Sequence, residues 1–394
     1  MIRQRFSLVL VTVLGCSGRT DSLATRPDAG HADASASDSM PSDGEPTDAG
    51  GLPSPQLLVP AALGTVFDFA YTQDALYPIL STNGTVAKLV YCPGQICTAD
   101  SPVIGDSAVD GVEVVGSHIY WIAVTYRQDG TAAPVLMQAN LDGSDPIVRY
   151  TPPYLSTDPL APFLTPPMIA DGEHLYFSST DPTTTNYAVA AIDTTSDTSP
   201  PVLAYTVSDQ SQFFDWSFDI KNGVLALWHT SVTPPGPVTI TTLATNSMAT
   251  LGSWTSVAKL AFGATGVFAV ARGPSSAPYL GACTFAGSAC AATGPADYGA
   301  SVGDVGDGLA AADDHAYFSF YDDATNRATI GSCALADAAA GSCTPQIIVA
   351  APAAGLAYPI RMRADSSAVY VATQSSTHNG VDGVWRIPLV LALQ

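Results

Sequence analysis

One short pattern recurs along this sequence and limits the possible folds more than any other feature. In residues 168–179 an apolar stretch leads into Asp171-Gly172, and an aromatic stretch follows. An Asp-Gly pair between two apolar runs predicts a β-hairpin. Six further copies align on this one, and the anchoring residue of the second strand recurs about every 49 residues. The anchors are Tyr77, Tyr120, Tyr176, Leu225, Phe268, Tyr317 and Tyr370.

This spacing matches the length of one four-stranded antiparallel blade of a β-propeller. The composition agrees, because 33 Gly and 30 Pro with only 12% charged residues favour short strands joined by turns. We therefore predict an all-β fold for residues 55–394, a seven-bladed β-propeller of four-stranded antiparallel blades. Each blade is expected to hold an inner apolar strand, a turn, the aromatic strand, a loop and two outer strands.

The two ends of this region indicate how the ring is closed. Residues 56–60 (Gln-Leu-Leu-Val-Pro) match residues 346–350 (Gln-Ile-Ile-Val-Ala), the outermost strand ahead of the last hairpin. The last unit has no clear fourth strand of its own after residues 383–387. We expect the N-terminal strand to complete the last blade, which removes exposed sheet edges.

The N-terminus has the organisation of a bacterial export signal. Arg3 and Arg5 precede an apolar run over residues 6–14 that is too short to span a membrane. The run ends in Val-Leu-Gly-Cys16, which resembles the bacterial lipobox. This resemblance implies a lipoprotein signal peptide over residues 1–15 and a lipid on Cys16 that anchors the protein to a bilayer. An ordinary secretory signal with an incidental cysteine is the alternative.

The residue after the cysteine is Ser17 and not Asp. The lipobox resemblance then implies the outer membrane of the cell envelope, without indicating its periplasmic or surface face. Residues 16–54 are rich in Asp, Ala, Ser, Pro and Gly. Such a segment cannot bury enough apolar area to offset its ordering entropy, so we expect a disordered acidic tether.

The charge of the chain argues against nucleic acid as a partner. The chain has 14 Lys and Arg residues and 35 Asp and Glu residues, which give a formal net charge of −21. A chain this acidic repels phosphate backbones. The acidity favours a soluble, non-adhesive surface over attraction of a cationic ligand.

Two further motifs suggest a family. The segment His118-Ile-Tyr-Trp121, followed some twenty residues later by Asn140-Leu-Asp-Gly143, resembles the repeats of YWTD propellers. The whole arrangement resembles bacterial propellers of the TolB-like kind. Those families commonly have six blades and use such domains for protein contacts, whereas seven units are counted here. The resemblance therefore implies the architecture, and no functional residue is carried over.

The cysteines predict disulfides and no metal. Once Cys16 is assigned to lipid, the other six form local pairs that each begin at the end of a third strand. Thiols across a hairpin are close enough to bridge in an oxidising compartment. Zinc would need pairs from different blades to converge with histidines, so neither a metal nor a cofactor is expected. The pairs are Cys92 with Cys97, Cys283 with Cys290, and Cys333 with Cys343.

Four charged residues are candidates for the central channel. Asp68 and Arg361 lie nine residues before their anchors, and Glu113 and Arg363 lie seven before theirs. This parity places all four on one strand face, which on an innermost strand borders the channel. Because the first and last blades adjoin in a closed ring, Asp68 and Arg361 should be neighbours. They either form an ion pair that only fills the channel or bind a ligand.

Aromatic residues in the connections between blades are the second candidate site. Tyr154, Phe213, Phe214 and Trp216 lie in segments expected on the face opposite the cysteine turns. Exposed aromatics on a rigid rim suit recognition of protein or glycan. Packing between blades is an equally good interpretation of the last three.

No familiar catalytic motif is present, so a non-enzymatic role is favoured. We expect a binding scaffold for an envelope protein or a polysaccharide. The alternatives are a glycan-active hydrolase or lyase with its site at the channel mouth, and a structural helper in envelope assembly. Fold alone does not choose among them.

Overall fold

A computed structural model describes most of the region predicted to fold. The described residues are 54–82, 87–126, 132–151, 167–180, 187–196, 198–206, 216–229, 238–251, 257–272, 278–284, 308–322, 327–349, 356–374 and 381–389. The predicted signal peptide, Cys16 and nearly all of the tether lie outside them, as do Tyr154, Phe213, Phe214 and Cys290. In the described residues no helix is both long and apolar enough to cross a membrane.

The described strands form six antiparallel sheets, which confirms the all-β prediction. The largest, here called the first sheet, contains Thr65–Tyr71, Ala75–Ser81, Ala87–Val90, Val103–Val115, His118–Tyr126, Ala132–Asn140 and Ile147–Tyr150, with Cys92–Pro93 paired beside the second of these strands. The second sheet contains Met168–Asp171, His174–Thr180, Tyr187–Asp193 and Val202–Thr206. The third contains Trp216–Lys221, Val224–His229, Val238–Thr242 and Ser247–Leu251.

The remaining sheets follow the same order along the chain. The fourth sheet contains Val257–Phe262, Gly266–Arg272 and Pro278–Thr284. The fifth contains Leu309–Ala312, His315–Asp322, Arg327–Ala334 and Gln346–Val349. The terminal sheet contains Tyr358–Ala364, Ala368–Gln374 and Gly383–Pro388, with the N-terminal strand Gln56–Pro60 at its edge. A 3-10 turn, Ala61–Leu63, follows that N-terminal strand.

The first sheet divides into two four-stranded halves within its longest strand, Val103–Val115. The beginning of this strand pairs with Ala87–Val90, and its end pairs with His118–Tyr126. The register shifts between Ala108 and Val112, and Gly111 there has a φ of +80°, a conformation that glycine adopts at little cost. The strand therefore changes partner where its backbone bends.

Pairing at the edge of the terminal sheet joins the two ends of the described chain. Gln56 lies opposite Arg386, and Pro60 lies opposite Gly383. Gly383 has a φ of +144°, and a Cβ there would lie 2.0 Å from the Val59 carbonyl oxygen. A larger residue would push the N-terminal strand away, so only glycine suits this position.

The core consists of separate apolar clusters, each shared by two neighbouring sheets or half-sheets. Tyr120 and Ile122 of the first sheet, for example, pack with Leu175 and Phe177 of the second. Another cluster joins Tyr370 and other residues of the terminal sheet to residues of the first half of the first sheet. Apolar area is thus buried between adjacent sheets, as in architectures built from repeated units.

One predicted anchor is misplaced by a residue. Tyr176 and Phe268 pack toward the sheet that follows their own, whereas Leu225 packs toward the preceding, second sheet. The equivalent position is Ala226, which joins the cluster shared with the fourth sheet. Leu225 was selected as the larger side chain, but successive residues of a strand point to opposite faces.

Two of the predicted cysteine pairs are confirmed at bonding distance. Cys92 and Cys97 have Cα atoms 4.8 Å apart, and those of Cys333 and Cys343 are 6.0 Å apart. The second pair encloses a short helix, Leu335–Ala340, where a simple turn was expected. Alanine-rich sequence favours this helix, and Gly341 ends it in the left-handed conformation. Cys283 is the last residue but one of the strand Pro278–Thr284, and its predicted partner lies outside the described residues.

Candidate functional site

The structure brings together the four charged residues of the predicted channel. Arg361 and Arg363 project from the first strand of the terminal sheet, Asp68 from the first strand of the first sheet, and Glu113 from the bent strand. Arg361 Nε lies 3.1 Å from Asp68 Oδ1, and Arg363 Nη1 lies 2.5 Å from Glu113 Oε1. Arg363 Nη2 lies 3.7 Å from Asp68 Oδ1, so the four side chains form one network.

Asp68 is the most deeply buried member of this network. Its side chain has no exposed area. Its Oδ1 accepts the N–H of Phe69 at 2.8 Å, and its Oδ2 accepts the N–H of Val112 at 3.2 Å. One carboxylate thus connects both halves of the first sheet and, through Arg361, the terminal sheet.

Arg363 completes the contact between the terminal sheet and the bent strand. Its Nη2 donates to the carbonyl oxygen of Val112 at 2.9 Å, and its guanidinium lies 5.8 Å from the ring centre of Phe69. Burial raises the pKa of Glu113, and the positive charge of Arg363 offsets that effect only in part. Burial by itself lowers the pKa of Arg363, but the charges of Glu113 and Asp68 outweigh it and raise that pKa. The charge of Arg363 thus lowers the pKa of Glu113 and favours its ionised form, while burial opposes this effect.

A second carboxylate, Asp219, repeats the backbone contacts of Asp68. It lies on the first strand of the third sheet. Its Oδ1 accepts the N–H of Ile220 at 2.8 Å, and its Oδ2 accepts the N–H of Phe262 in the fourth sheet at 3.2 Å. Burial raises its pKa to about 6, against the lowering effect of the two backbone N–H groups. Both carboxylates therefore connect the first strand of one unit to that of the next.

These first strands surround a cavity of about 420 Å³, which we call the inner-strand cavity. This volume lies within the range of small-molecule sites. Asp68 does not line it, although the other three members of the network do. The charged residues of the lining are Glu113, Asp171, Asp219, Lys221, Lys259, Arg361 and Arg363.

Sequence reasoning missed four of these residues for identifiable reasons. Lys259 lies nine residues before its anchor, as Asp68 does, so the same parity argument would have found it. Asp219 and Lys221 lie seven and five residues before Ala226, and the misplaced anchor hid both. Asp171 is the last residue of the strand before the hairpin turn, and its carboxylate accepts the N–H groups of Asn222 and Gly223 at 2.8 Å each.

The second predicted site has little structural description. Trp216 begins a strand of the third sheet, but its side chain is not among those described, and the other three aromatic candidates lie outside the described residues. Among the side chains that are described, no three His, Cys, Asp or Glu residues are grouped to hold a metal ion.

Comparisons with known proteins identify the fold only. No protein-family model matches the chain, and no curated protein matches it. The β-propeller domain of the Trilobed protease from Pyrococcus furiosus matches with a TM-score of 0.55 at 9% identity, over 83% of this chain and 98% of that one. An oligogalacturonate lyase in complex with manganese matches with a TM-score of 0.51 at 10% identity, over 83% and 90% of the two chains.

A prolyl endopeptidase also matches, with a TM-score of 0.52 at 9% identity over 85% of this chain. This chain spans about half the length of that enzyme, 51%. At such low identity these likenesses show a β-propeller and nothing about activity.

Proposed function

We propose that this protein is a lipid-anchored extracytoplasmic β-propeller that acts as a binding scaffold for an envelope protein or polymer. Residues 1–15 direct export, Cys16 carries the lipid at the outer membrane, and residues 16–54 form the tether. Residues 55–394 form seven blades. The two halves of the first sheet count as two of these blades, and the other five sheets supply one each.

Two contacts support closure of the ring. The N-terminal strand pairs with Gly383–Pro388, and the first and last units share an apolar cluster that contains Leu58 and Tyr370. The matching propeller of the Trilobed protease is described as having an open velcro topology. The likeness to that domain therefore does not decide closure, and the strand pairing in this chain is the stronger guide.

One observation carries the choice of binding over catalysis. The acidic residues of the first and second units, Asp68 and Glu113, are buried in ion pairs with Arg361 and Arg363. A general acid or base must be able to reach a substrate and exchange a proton with it. These two carboxylates serve to hold neighbouring strands together, which suits a rigid scaffold whose loops make the contacts.

The loop face is the proposed surface for the partner, with Tyr154, Phe213, Phe214 and Trp216 as its aromatic residues. The test is affinity capture from envelope extract with the purified full-length protein and a Phe213→Ala, Trp216→Ala double variant. Met248→Ala is the matched control, because Met248 is an exposed apolar side chain on an outer strand, 60% exposed. We expect the double variant to lose partners that the wild type and the control retain. Identical capture profiles for all three proteins would refute the aromatic surface.

A specific observation supports a second candidate, an enzyme acting on glycans within the inner-strand cavity. Asp219 lines that cavity, and burial raises its pKa to about 6. A carboxyl that exchanges its proton near neutral pH is suited to general acid catalysis. Turnover of an oligosaccharide panel that Asp219→Asn abolishes would favour this candidate.

A further inference from the structure

The wall of the inner-strand cavity carries hydrogen-bond donors that no described group satisfies. Arg361 uses only Nε on Asp68, and its two terminal nitrogens have no partner in the described part of the chain. Its side chain is 20% exposed and lines the cavity. Lys221 also lines the cavity and makes no ion pair or hydrogen bond with a described residue.

A third donor is buried. Trp228 lines the cavity with 2% of its surface exposed, and its indole Nε1 has no hydrogen-bond partner among the described residues. The ring packs in the cluster between the third and fourth sheets, which fixes the direction of the N–H. Buried donors are normally paired, and this unpaired one belongs to a side chain in the cavity wall, so an acceptor on a ligand would satisfy it.

The acceptors of the same wall are occupied. Glu113 is bound by Arg363, and both Asp171 and Asp219 accept two backbone N–H groups. Each carboxylate of the wall thus already accepts hydrogen bonds from the protein, whereas the three donors named above have no partner among the described residues. A ligand that brings oxygen acceptors would satisfy the unpaired groups.

Two cations of the wall act on the same space from different sheets. Arg361 belongs to the terminal sheet and Lys221 to the third, and the charges of both lower the pKa of Asp219. We propose that the inner-strand cavity binds a small carboxylate ligand, its carboxylate held by Arg361 and Lys221 and a further oxygen by the Trp228 indole. This site is separate from the proposed loop face, and neither depends on the other.

Carboxylate is favoured over phosphate by the surrounding charge. A guanidinium presents two donors that match either group. The charged side chains of the lining are four cations and three carboxylates, a net charge of +1, which one carboxylate balances and a phosphate exceeds. A single carboxylate suffers less repulsion at the same position.

Calorimetry on the full-length protein tests the assignment with three probes: glucuronate, glucose and inorganic phosphate. Glucuronate and glucose have similar sugar rings, and only glucuronate carries a carboxylate. We expect glucuronate to bind at least about tenfold more tightly than either of the others. Equal binding of glucose, binding of phosphate at least as tight, or no binding of glucuronate would each overturn the proposal.

Variants locate the site without disturbing the buried ion network. Lys221→Gln removes one cation, and Trp228→Phe removes the indole N–H while keeping an aromatic ring. Each should weaken glucuronate binding by about five- to tenfold. Lys88→Gln is the control, because Lys88 is an exposed cation on the first sheet, and it should leave binding unchanged. If Lys221→Gln and Trp228→Phe both bind like the wild type, the ligand lies elsewhere. Loss of capture by the loop face would not affect this result.

Discussion

The substitution Asp68→Asn tests whether the buried ion network holds the first and last units together. Asparagine keeps the shape of the side chain and one acceptor oxygen, but it removes the negative charge. Among the described residues Arg361 then has no carboxylate within contact, and Arg363 retains only Glu113. One N–H, of either Phe69 or Val112, also faces the new amide nitrogen in place of an oxygen.

The expected loss follows from these contacts. Removing one partner from a buried ion pair costs about 3–5 kcal/mol, and the low end applies because the two arginines are 20% and 18% exposed. An unsatisfied buried N–H adds about 1 kcal/mol. The total is about 4 kcal/mol. For roughly 340 folded residues the entropy of unfolding is about 0.7 kcal/mol per kelvin, so the Tm should fall by about 6 °C.

Thermal unfolding followed by circular dichroism measures this change. The matched control is Asp106→Asn, which removes the partner of Lys88 in the same sheet. That pair is 3.8 Å apart, with side chains 53% and 75% exposed, and exposed pairs of this kind contribute at most about 1 kcal/mol. A Tm for Asp68→Asn within 1 °C of that of Asp106→Asn would refute the reasoning that burial makes this network important.

Two further predictions concern the ring and the second carboxylate. Deletion of residues 55–61 removes the buried Leu58 and Val59 together with the edge pairing, and should lower the free energy of unfolding by at least about 5 kcal/mol. Deletion of residues 41–47 in the tether is the control and should leave the thermal melt unchanged. An unaltered melt for the first deletion would exclude closure by this strand. Because the pKa of Asp219 is raised in the folded state, that state binds more protons than the unfolded state and loses stability as pH rises from about 4 to about 6. The Asp219→Asn variant lacks this group, so its free energy of unfolding should rise by about 3 kcal/mol relative to that of wild type between pH 4 and pH 7. Urea titrations measure the difference. Parallel pH profiles for the two proteins would contradict that assignment.

The neighbourhood of Asp68 and Arg361 could be predicted because it rests on two local rules. Residues at even spacing on a strand share a face, and the match between residues 56–60 and 346–350 indicated that the chain ends adjoin. Both rules need only short stretches of sequence. The separation of 3.1 Å between Arg361 Nε and Asp68 Oδ1 is the consequence.

Asp219 was missed because an error of one residue in the position of the anchor changes the predicted face of every residue in the strand. Choosing Leu225 in place of Ala226 as the anchor shifts the alignment by one residue and assigns every side chain to the opposite face. The unpaired N–H of Trp228 has no counterpart in the sequence, since it depends on how the third and fourth sheets pack. Pattern thus predicts which face a residue occupies, and packing decides whether its polar atoms are satisfied.

The two connecting carboxylates show why charge is concentrated at one junction. Asp219 joins the third and fourth sheets through two backbone N–H groups, between units that follow each other in the chain. Asp68 makes the same contacts but is also bound by Arg361 and lies beside Arg363, both from the far end of the sequence. No peptide segment joins those ends, so the attraction between them must come from side chains and from strand pairing. Arg361 supplies part of this attraction and also lines the inner-strand cavity, so one side chain contributes both to the junction of the proposed ring and to the proposed anion site.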